Sequence, residues 1–571
     1  MSLDRTLHVA FVWNQHQPYY KDTVNNRYIM PWVRLHACKD YYQMAAILEH
    51  YPRIKQTFNL TPSLLSQLED YLNTACQDFY MRVAKPVGKC TDDDRRFLLQ
   101  HYFDIHWERV IYRFPRYHEL LQKQGELGEP YLPEGALEKF SDQDYLDLQV
   151  WFNLAWIDSK LREEDSFLRG LVEKGRDFTE KEKEGVMQAQ REIMGKVIPI
   201  HRRLRSKGQI ELMTTPFYHP IMPLIIDNHS ARRALPDLPL PEKFAYREDV
   251  YAQLEASLLQ YKQLFGGRPR GVWPSEQAVS PEIISICSEL GFAWTISDEQ
   301  ILAQTMEVEI QRDEYGHLLN PEVLCQPYRV MGEGEEITII FRDQVLSDRI
   351  GFEYQHFQAE EAAEDLIHRL HVIRERLGHL PGNFLVTISL DGENPWEWYP
   401  DDKHGFLHAL YHRLSKDPYL KCESVNRYLE QNPPRRSLYN LFTGSWVDHN
   451  LARWIGSENK NKMWDYLARA RQKVEDYRHS PEGKRDKAER ALQNIYIAEG
   501  SDYHWWVDSM PYYLAAPFEA LFRKHLSNVY SCMDLFPPEE LRQPLISPDS
   551  GEPEDQRPIS GPISMINNLE D

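Results

Sequence analysis

Two short stretches concentrate groups able to do acid–base chemistry. In "GVWPSEQAVSPE", residues 271–282, a carboxylate, Glu276, lies in the turn between a short strand-like run and the start of a helix. In "FLVTISLDGENPWEWYP", residues 384–400, Asp391 and Glu393 follow a β-branched run and precede Trp396, Trp398 and Tyr399. Alternation along an extended chain puts Asp391 and Glu393 on one side if the extension persists past the strand. A lone loop carboxylate is most often a solvated charge, although loops on rigid scaffolds are where function concentrates. Two carboxylates on different strand ends suggest glycosidic chemistry. A retaining glycosidase needs one ionised carboxylate to attack the anomeric carbon and one protonated acid for the leaving oxygen, roughly 5–5.5 Å away. The donor keeps its proton through the partner's negative charge and through sugar or Trp faces that exclude water. Spacing alone does not say which carboxylate takes which role.

Several apolar runs end in polar or aromatic clusters: "LHVAFVW" before Asn14, "IKQTFNL" before Thr61, "QIELMTT" before Pro216, "GVW" before Pro274, "FAWTIS" before Asp298, "EITIIF" before Arg342 and "FLVTISL" before Asp391. Helical patterns lie between most of them, which predicts parallel β/α units. Chemistry gathered at the carboxyl ends of strands is the arrangement of a barrel active site. Ser280-Pro281-Glu282 reads as N-cap, first helical position and first-turn acid, and Gly291 as the residue that closes that helix. Residues 63 to about 206 break the rhythm with long charged helical stretches, read as an insertion over the rim of a catalytic α/β barrel spanning 1–404. From Gly405 to about 545 the pattern is again helical and predicts a C-terminal helical domain. Residues 546–571, rich in Pro, Gly, Ser and acids, are expected to be disordered.

The 571 residues exceed one small core. A formal charge of −21 repels phosphate backbones and anionic lipid, so nucleic acid and membrane surfaces are excluded as partners and a neutral substrate is favoured. Fourteen Trp and 32 Tyr supply flat amphipathic faces suited to sugars. The seven cysteines form no CxxC pair, which suits a reducing compartment and offers no zinc or redox signature. The apolar run at the N-terminus is too short for a signal peptide, and no run reaches about eighteen apolar residues. The expectation is a cytoplasmic protein with neither cofactor nor catalytic metal; oligomeric state is not legible.

Five motifs occur in order: "NQHQP" at 14–18, "GQIELMTTPFYHPIMPLI" at 208–225, "GVWPSEQAVS" at 271–280, "LDGENPWEWYP" at 390–400 and "AEGSDYHWWVD" at 498–508. Together they resemble the motif regions of glycoside hydrolase family 57, especially its amylopullulanase and α-amylase-like branch. "MPWVRLHACKDYY" at 30–42 and "FRDQVLSDRIGFEY" at 341–354 resemble that branch too, and the likeness reaches about residue 535. The resemblance implies an incomplete (β/α)7 barrel, a following helical domain, and action on α-glucans with retention. It implies Glu276 as nucleophile and Asp391 as acid/base. Around them are expected His16, bonding sugar hydroxyls or orienting its loop, Glu211 at the end of a strand, binding a hydroxyl, orienting another group or serving as a buried structural carboxylate, His219 in the site or packing its loop, and Trp273 walling it. Arg342 and Asp343 are expected to form an ion pair at a strand end with substrate contact. Glu393, Trp396 and Trp446 are expected to help bind sugar, and Trp505 and Trp506 to pack.

The leading expectation is a hydrolase of α-1,4 bonds, with α-1,6 bonds as a second linkage, in glycogen, starch or maltodextrins. A 4-α-glucanotransferase or branching enzyme shares the first half-reaction and differs in the acceptor. The chain shows no counterpart of the long C-terminal modules of secreted amylopullulanases, which favours an intracellular role. Two other classes stay open. A metal-dependent deacetylase needs an Asp and two His at strand ends, and no HxxxH pair near an Asp stands out. A non-catalytic glucan-binding protein would have no reason to keep both carboxylates.

Overall fold

All seven expected runs form strands: β1 (Leu7–Gln15), β2 (Gln56–Leu60), β3 (Ile210–Met213), β4 (Gly271–Val272), β5 (Trp294–Asp298), β6 (Glu336–Arg342) and β7 (Leu385–Asp391). The computed structural model describes residues 5–547 apart from 75, 127–131, 134, 333 and 482. Beyond residue 547, the expected disordered tail lies outside the described residues.

Strands β7, β1, β2 and β3 lie side by side in parallel, as do β4, β5 and β6. The two groups meet at a parallel bridge between Thr214 and Val272, and again where the Asp343 amide donates to the Thr387 carbonyl at 2.8 Å. Parallel pairing requires long crossovers, which the intervening helices supply. Every residue of β1 is buried, as expected for a strand covered on both faces.

Side-chain alternation sets the interior. Ala10 and Val12 of β1, Met213 of β3, Trp294 and Ile296 of β5, Ile340 of β6 and Leu385 of β7 form one apolar cluster. Two residues further along each strand, the same face turns polar: Val12 is followed by Asn14, Thr57 by Asn59, Ile296 by Asp298, Ile340 by Arg342 and Ser389 by Asp391. The register aligns these groups, with Asn14 opposite both Asn59 and Asp391, and Asp298 opposite Arg342. A polar layer therefore caps an apolar plug at the carboxyl ends of the strands.

Between β2 and β3 the chain is largely helical, from Pro62–Asn73 through Glu180–Ser206, the latter started by a capping box on Thr179. The helix Pro281–Glu289 begins at the expected proline, although the Ser280 side chain makes no cap bond to it, and Gly291 leaves it at φ +77°. One boundary is corrected. The segment after Gly405 does not leave the sheet, because Leu420–Cys422 pairs with β1, and Val425 and Tyr428 of the next helix close the apolar cluster. The C-terminal helices start later, as Glu458–His479, Arg485–Ala498, Ser501–Trp506 and Tyr512–Cys532. No described helix is long and apolar enough to cross a membrane.

Those helices are fastened to the body by a buried pair. Arg471 donates through Nε to Asp249 Oδ2 at 2.7 Å and through Nη2 to Oδ1 at 3.0 Å, on the helix Arg247–Phe265. Removing one partner strands the other charge away from water, at a cost of about 3–5 kcal/mol. Arg471→Leu is therefore expected to lower the denaturant midpoint strongly, and adding Asp249→Leu to recover much of the loss. Equal midpoints for Arg471→Leu and wild type would remove the pair as a staple.

Candidate active site

The turn after β4 carries Glu276 in a left-handed conformation, φ +54°, with Gln277 beside it at φ +49°. Such backbone costs on the order of 1–3 kcal/mol per non-glycine residue and persists only where neighbours hold it. Here Gln277 Nε2 donates to Ser389 Oγ at 3.1 Å, Ser297 Oγ donates to the Gln277 carbonyl at 3.0 Å, and the Trp446 amide donates to the Glu276 carbonyl at 3.2 Å. The Glu276 carboxylate is thereby aimed at the polar layer. Trp446 Nε1 donates to its Oε2 at 2.9 Å, and His219 Nδ1 lies 3.9 Å from its Oε1. Burial, followed by the charge of Asp391, pushes the Glu276 carboxyl up to about 8, against the opposing Trp446 bond and His16 charge.

Asp391 is the last residue of β7 and stands across from Asn14. Asn59 Nδ2 donates to Asn14 Oδ1 at 2.8 Å, and Asn14 Nδ2 donates to Asp391 Oδ1 at 2.9 Å. Asn394 Nδ2 donates to the other oxygen at 2.9 Å. This relay orients Asp391 through two neighbouring strands. Burial still raises its pKa above the ordinary carboxylate value, outweighing these donors and the nearby charges of His16 and Arg342.

Two histidine rings stack beside the carboxylates: the His16 and His219 centroids are 3.7 Å apart with planes inclined by 18°. Thr61 Oγ1 donates its proton to the Gln15 carbonyl at 2.9 Å, so it accepts from His16 Nδ1 at 3.2 Å. His16 Nε2 faces Asp502 Oδ1 at 2.9 Å. Both ring nitrogens thus act as donors, which is the imidazolium form. Burial works against that charge, but Asp502, Glu276 and Asp391 outweigh it and raise the His16 pKa. Burial and the His16 charge push His219 well below its ordinary value, and its Nδ1 pairs with Ser501 Oγ at 3.0 Å. Successive residues of one short helix, Ser501 and Asp502, therefore address the two rings separately.

His16, His219 and Asp502 are also the described group whose ligand atoms converge closely enough to hold a metal, within 4.8 Å of one another. Near-parallel stacked rings point their in-plane lone pairs alongside each other, and His16 Nε2, Asp502 Oδ1 and His219 Nδ1 are engaged in hydrogen bonds. Each ring is bonded separately, His16 to Asp502 and His219 to Ser501, and His219 Nε2 has no hydrogen-bond partner among the described residues.

Several expected residues are placed differently. Glu393 does not share a side with Asp391, because the strand ends at Asp391; its buried carboxylate instead accepts from the His16 amide at 3.0 Å and Tyr41 Oη at 2.9 Å. It shapes the "HQP" turn from beneath. Arg342 and Asp343 do not pair, since neighbours on a strand point to opposite faces. Arg342 reaches Asp298 at 2.6 Å in the polar layer and lies 5.0 Å from the Trp446 ring, whereas Asp343 pairs with Arg312 at 3.0 Å outside. Glu211 is not at a strand end: it stands opposite Thr57, one layer below Asn59. There it accepts from Trp294 Nε1 at 3.3 Å and the Asn426 amide at 2.8 Å, and burial lifts it to about 7. Trp273 and Trp396 are fully buried and have no open face for a sugar. Trp273 packs edge-on against Trp446, and Trp396 packs between Trp13 and Tyr399. Trp506 stacks on Phe518, in line with the packing expectation.

The structure thus brings together Glu276, Asp391, His16, His219, Trp446 and Arg342. It adds Asn14, Asn59, Asp298, Ser501 and Asp502, which sequence reasoning did not single out. Asn14, Ser501 and Asp502 did lie within quoted motifs.

Against known proteins, the family described as glycosyl hydrolase family 57 matches residues 10–440. A 4-alpha-glucanotransferase of Thermococcus kodakarensis is 25% identical over 245 residues, 42% of this chain and 30% of that protein. An alpha-amylase of Pyrococcus horikoshii is 24% identical over 249 residues, 42% of this chain and 32% of the relative. The chain therefore matches under a third of the length of each. Among solved structures, a branching enzyme from Thermococcus kodakaraensis superimposes with a TM-score of 0.59 at 15% identity, covering 92% of this chain and 90% of the other. The alpha-amylase AmyC of Thermotoga maritima does so at 0.55 and 13%, covering 94% and 96%. Identities this low speak for an α/β fold with a helical C-terminal region. With about three quarters of its residues inside the family match, the chain belongs to glycosyl hydrolase family 57.

Proposed function

We propose that the chain is a retaining α-glucan hydrolase, with its strands forming an incomplete (β/α)7 barrel and its chemistry at their carboxyl ends. It cleaves α-1,4 bonds, and α-1,6 bonds as a second linkage, in glycogen, starch or maltodextrins. The observation that supports this best is the buried carboxylate pair, Glu276 and Asp391, each at a strand end and within the other's field. In the first step Asp391 gives its proton to the glycosidic oxygen while Glu276 attacks the anomeric carbon, so the C–O bond to the leaving sugar breaks as the ester to Glu276 forms. In the second, Asp391 takes a proton from water, whose oxygen displaces Glu276.

One proton shared by the pair serves both roles. The raised pKa of Glu276 keeps that proton on it in the empty site, so productive binding moves it to Asp391. Trp446 Nε1–H and the His16 imidazolium stabilise the Glu276 anion left behind. His219 and Arg342 remain candidates to bond sugar hydroxyls. Free thiols at all seven cysteines fit a cytoplasmic enzyme. A second reading, 4-α-glucanotransferase or branching enzyme, draws support from the relatives and uses the same first step with a sugar hydroxyl in place of water.

With maltoheptaose, wild type is expected to raise total reducing ends, and Glu276→Gln and Asp391→Asn to lower kcat by on the order of 10³-fold or more. Redistributed chain lengths at constant reducing ends would reassign the activity to transfer, and full activity in either variant would dismiss that carboxylate. The roles separate with α-maltosyl fluoride and azide: Glu276→Ala should yield the inverted β-azide and Asp391→Ala the retained α-azide. The opposite stereochemistry would exchange nucleophile and acid/base.

The pH dependence has a defined sign. Activity is expected to fall as pH rises through about 8, where the pair loses its last proton, and to fall on the acid side when both carboxyls are protonated. Because folding lifts Glu276 from its ordinary value of 4.5, stability drains away as pH climbs from about 4.5 to 8. Glu276→Gln lacks that loss, so its melting temperature should exceed that of wild type by several degrees at pH 8 and by little at pH 4.5. A constant gap between the two across that range would contradict the raised carboxyl.

A further inference from the structure

Beyond Asp391 the chain runs through Trp396 to Asp402, and behind that segment lies a cavity of about 230 Å³. Four arginines line it: Arg109, Arg113, Arg162 and Arg169. Among the described residues their guanidinium bonds go to backbone carbonyls and not to carboxylates. Arg109 reaches the Gln355 carbonyl at 3.4 Å, Arg113 that of Pro400, Arg162 those of Ala155 at 2.7 Å and Ile157, and Arg169 that of Glu163 at 2.6 Å.

The nearby acids are committed elsewhere. Asp402 pairs with Lys39 and accepts the Ser159 amide at 3.0 Å. Asp158 pairs with Lys403 and His404, both at 2.8 Å, and Glu163 pairs with Lys160 at 2.7 Å. Glu397, fully buried in the wall, is held neutral because burial pushes its pKa well above the ordinary value. Asp401 is the one remaining charged acid on the lining. With Glu397 neutral, the four arginines and Lys39 face Glu163, Asp401 and Asp402 on the lining, a local excess of two positive charges in a chain whose total is −21. Burial depresses the Arg162 pKa and the charge of Arg113 adds to the depression, while Asp402 and Asp158 oppose it.

We propose that this cavity binds a small phosphorylated sugar. Guanidinium forks match phosphoryl oxygens in charge and geometry. The carboxyl groups of Glu397 and Asp401 are placed to bond hydroxyls, and Phe114 and Tyr399 supply apolar ring surface. The volume of about 230 Å³ is in the size class of a monosaccharide. The site is distinct from the carboxylate pair and shares none of its residues.

Calorimetric titration of the full chain with glucose 6-phosphate, inorganic phosphate and glucose tests this. Saturable binding of glucose 6-phosphate is expected, with inorganic phosphate weaker and glucose weaker still. Arg113→Gln combined with Arg169→Gln, both exposed and neither fastening a helix to the sheet, should weaken it at least tenfold at an unchanged melting temperature. Titrating Glu276→Gln saturated with maltoheptaose should leave the affinity unchanged. Absence of binding, affinity indifferent to the arginine variants, equal affinity for glucose, or displacement by maltoheptaose would each overturn the proposal. Equal affinity for inorganic phosphate would overturn the sugar assignment.

Discussion

Two carboxylates kept out of water within reach of each other's charge set the terms for the rest of this molecule. Burial makes ionising either group harder, and at Glu276 the charge of Asp391 adds to it, so Glu276 is lifted to about 8 and Asp391 is raised as well. Such a pair is unstable to reorganisation unless every surrounding donor is held in place. The Asn59–Asn14 relay holds Asp391 from the β1–β2 side, Asn394 holds it from its own loop, and Trp446 holds Glu276. The left-handed turn at Glu276 and Gln277 adds backbone strain to that electrostatic cost. Strain and buried charge at one place are stability given up so that reactive groups can be presented.

The C-terminal region completes this arrangement. Trp446 arrives on a segment bridged to the Glu276 turn through Val279 and Gly444, and Ser501 and Asp502 arrive where Gly500 bridges Pro220. Asp502 raises the His16 pKa, and the charge of His16 in turn lowers that of Glu276. Docking of the helices, fastened by Arg471 and Asp249, is therefore coupled to the electrostatics of the strand ends.

The sheet and the cavity behind it use charge in opposite ways. In the polar layer, Asp298 and Arg342 are register partners and neutralise each other across two strands. Around the arginine-lined cavity Asp402 and Asp158 are paired with lysines and a histidine, and the guanidiniums bond backbone carbonyls. A single chain of strongly negative total charge can hold a positive pocket because pairing is decided within a few ångströms, where screening by distant charges is weak.

Seven strands, their parallel order and the turn that carries Glu276 were legible because they depend on short-range signals: β-branched runs, period-two alternation, and a proline that starts a helix. The same locality explains why Asp391 and His16 could be picked out within compact motifs. Where a residue's role depends on chain far away in sequence, the pattern misled or was silent. Glu393 was expected beside Asp391, but the strand stopped and Tyr41 and the His16 amide claimed its carboxylate. Arg342 and Asp343 were expected to pair, but alternation sent them to opposite faces, each to a distant partner. Residues after Gly405 read as helical, yet Leu420–Cys422 found its place along β1. Local propensity and periodicity, carried by each short stretch, determined the strands and the two carboxylate turns. Which carboxyls titrate high, which histidine is raised and which lowered, and which arginines lack an acid were decided by tertiary packing, because electrostatic energies depend on distances that sequence order does not encode.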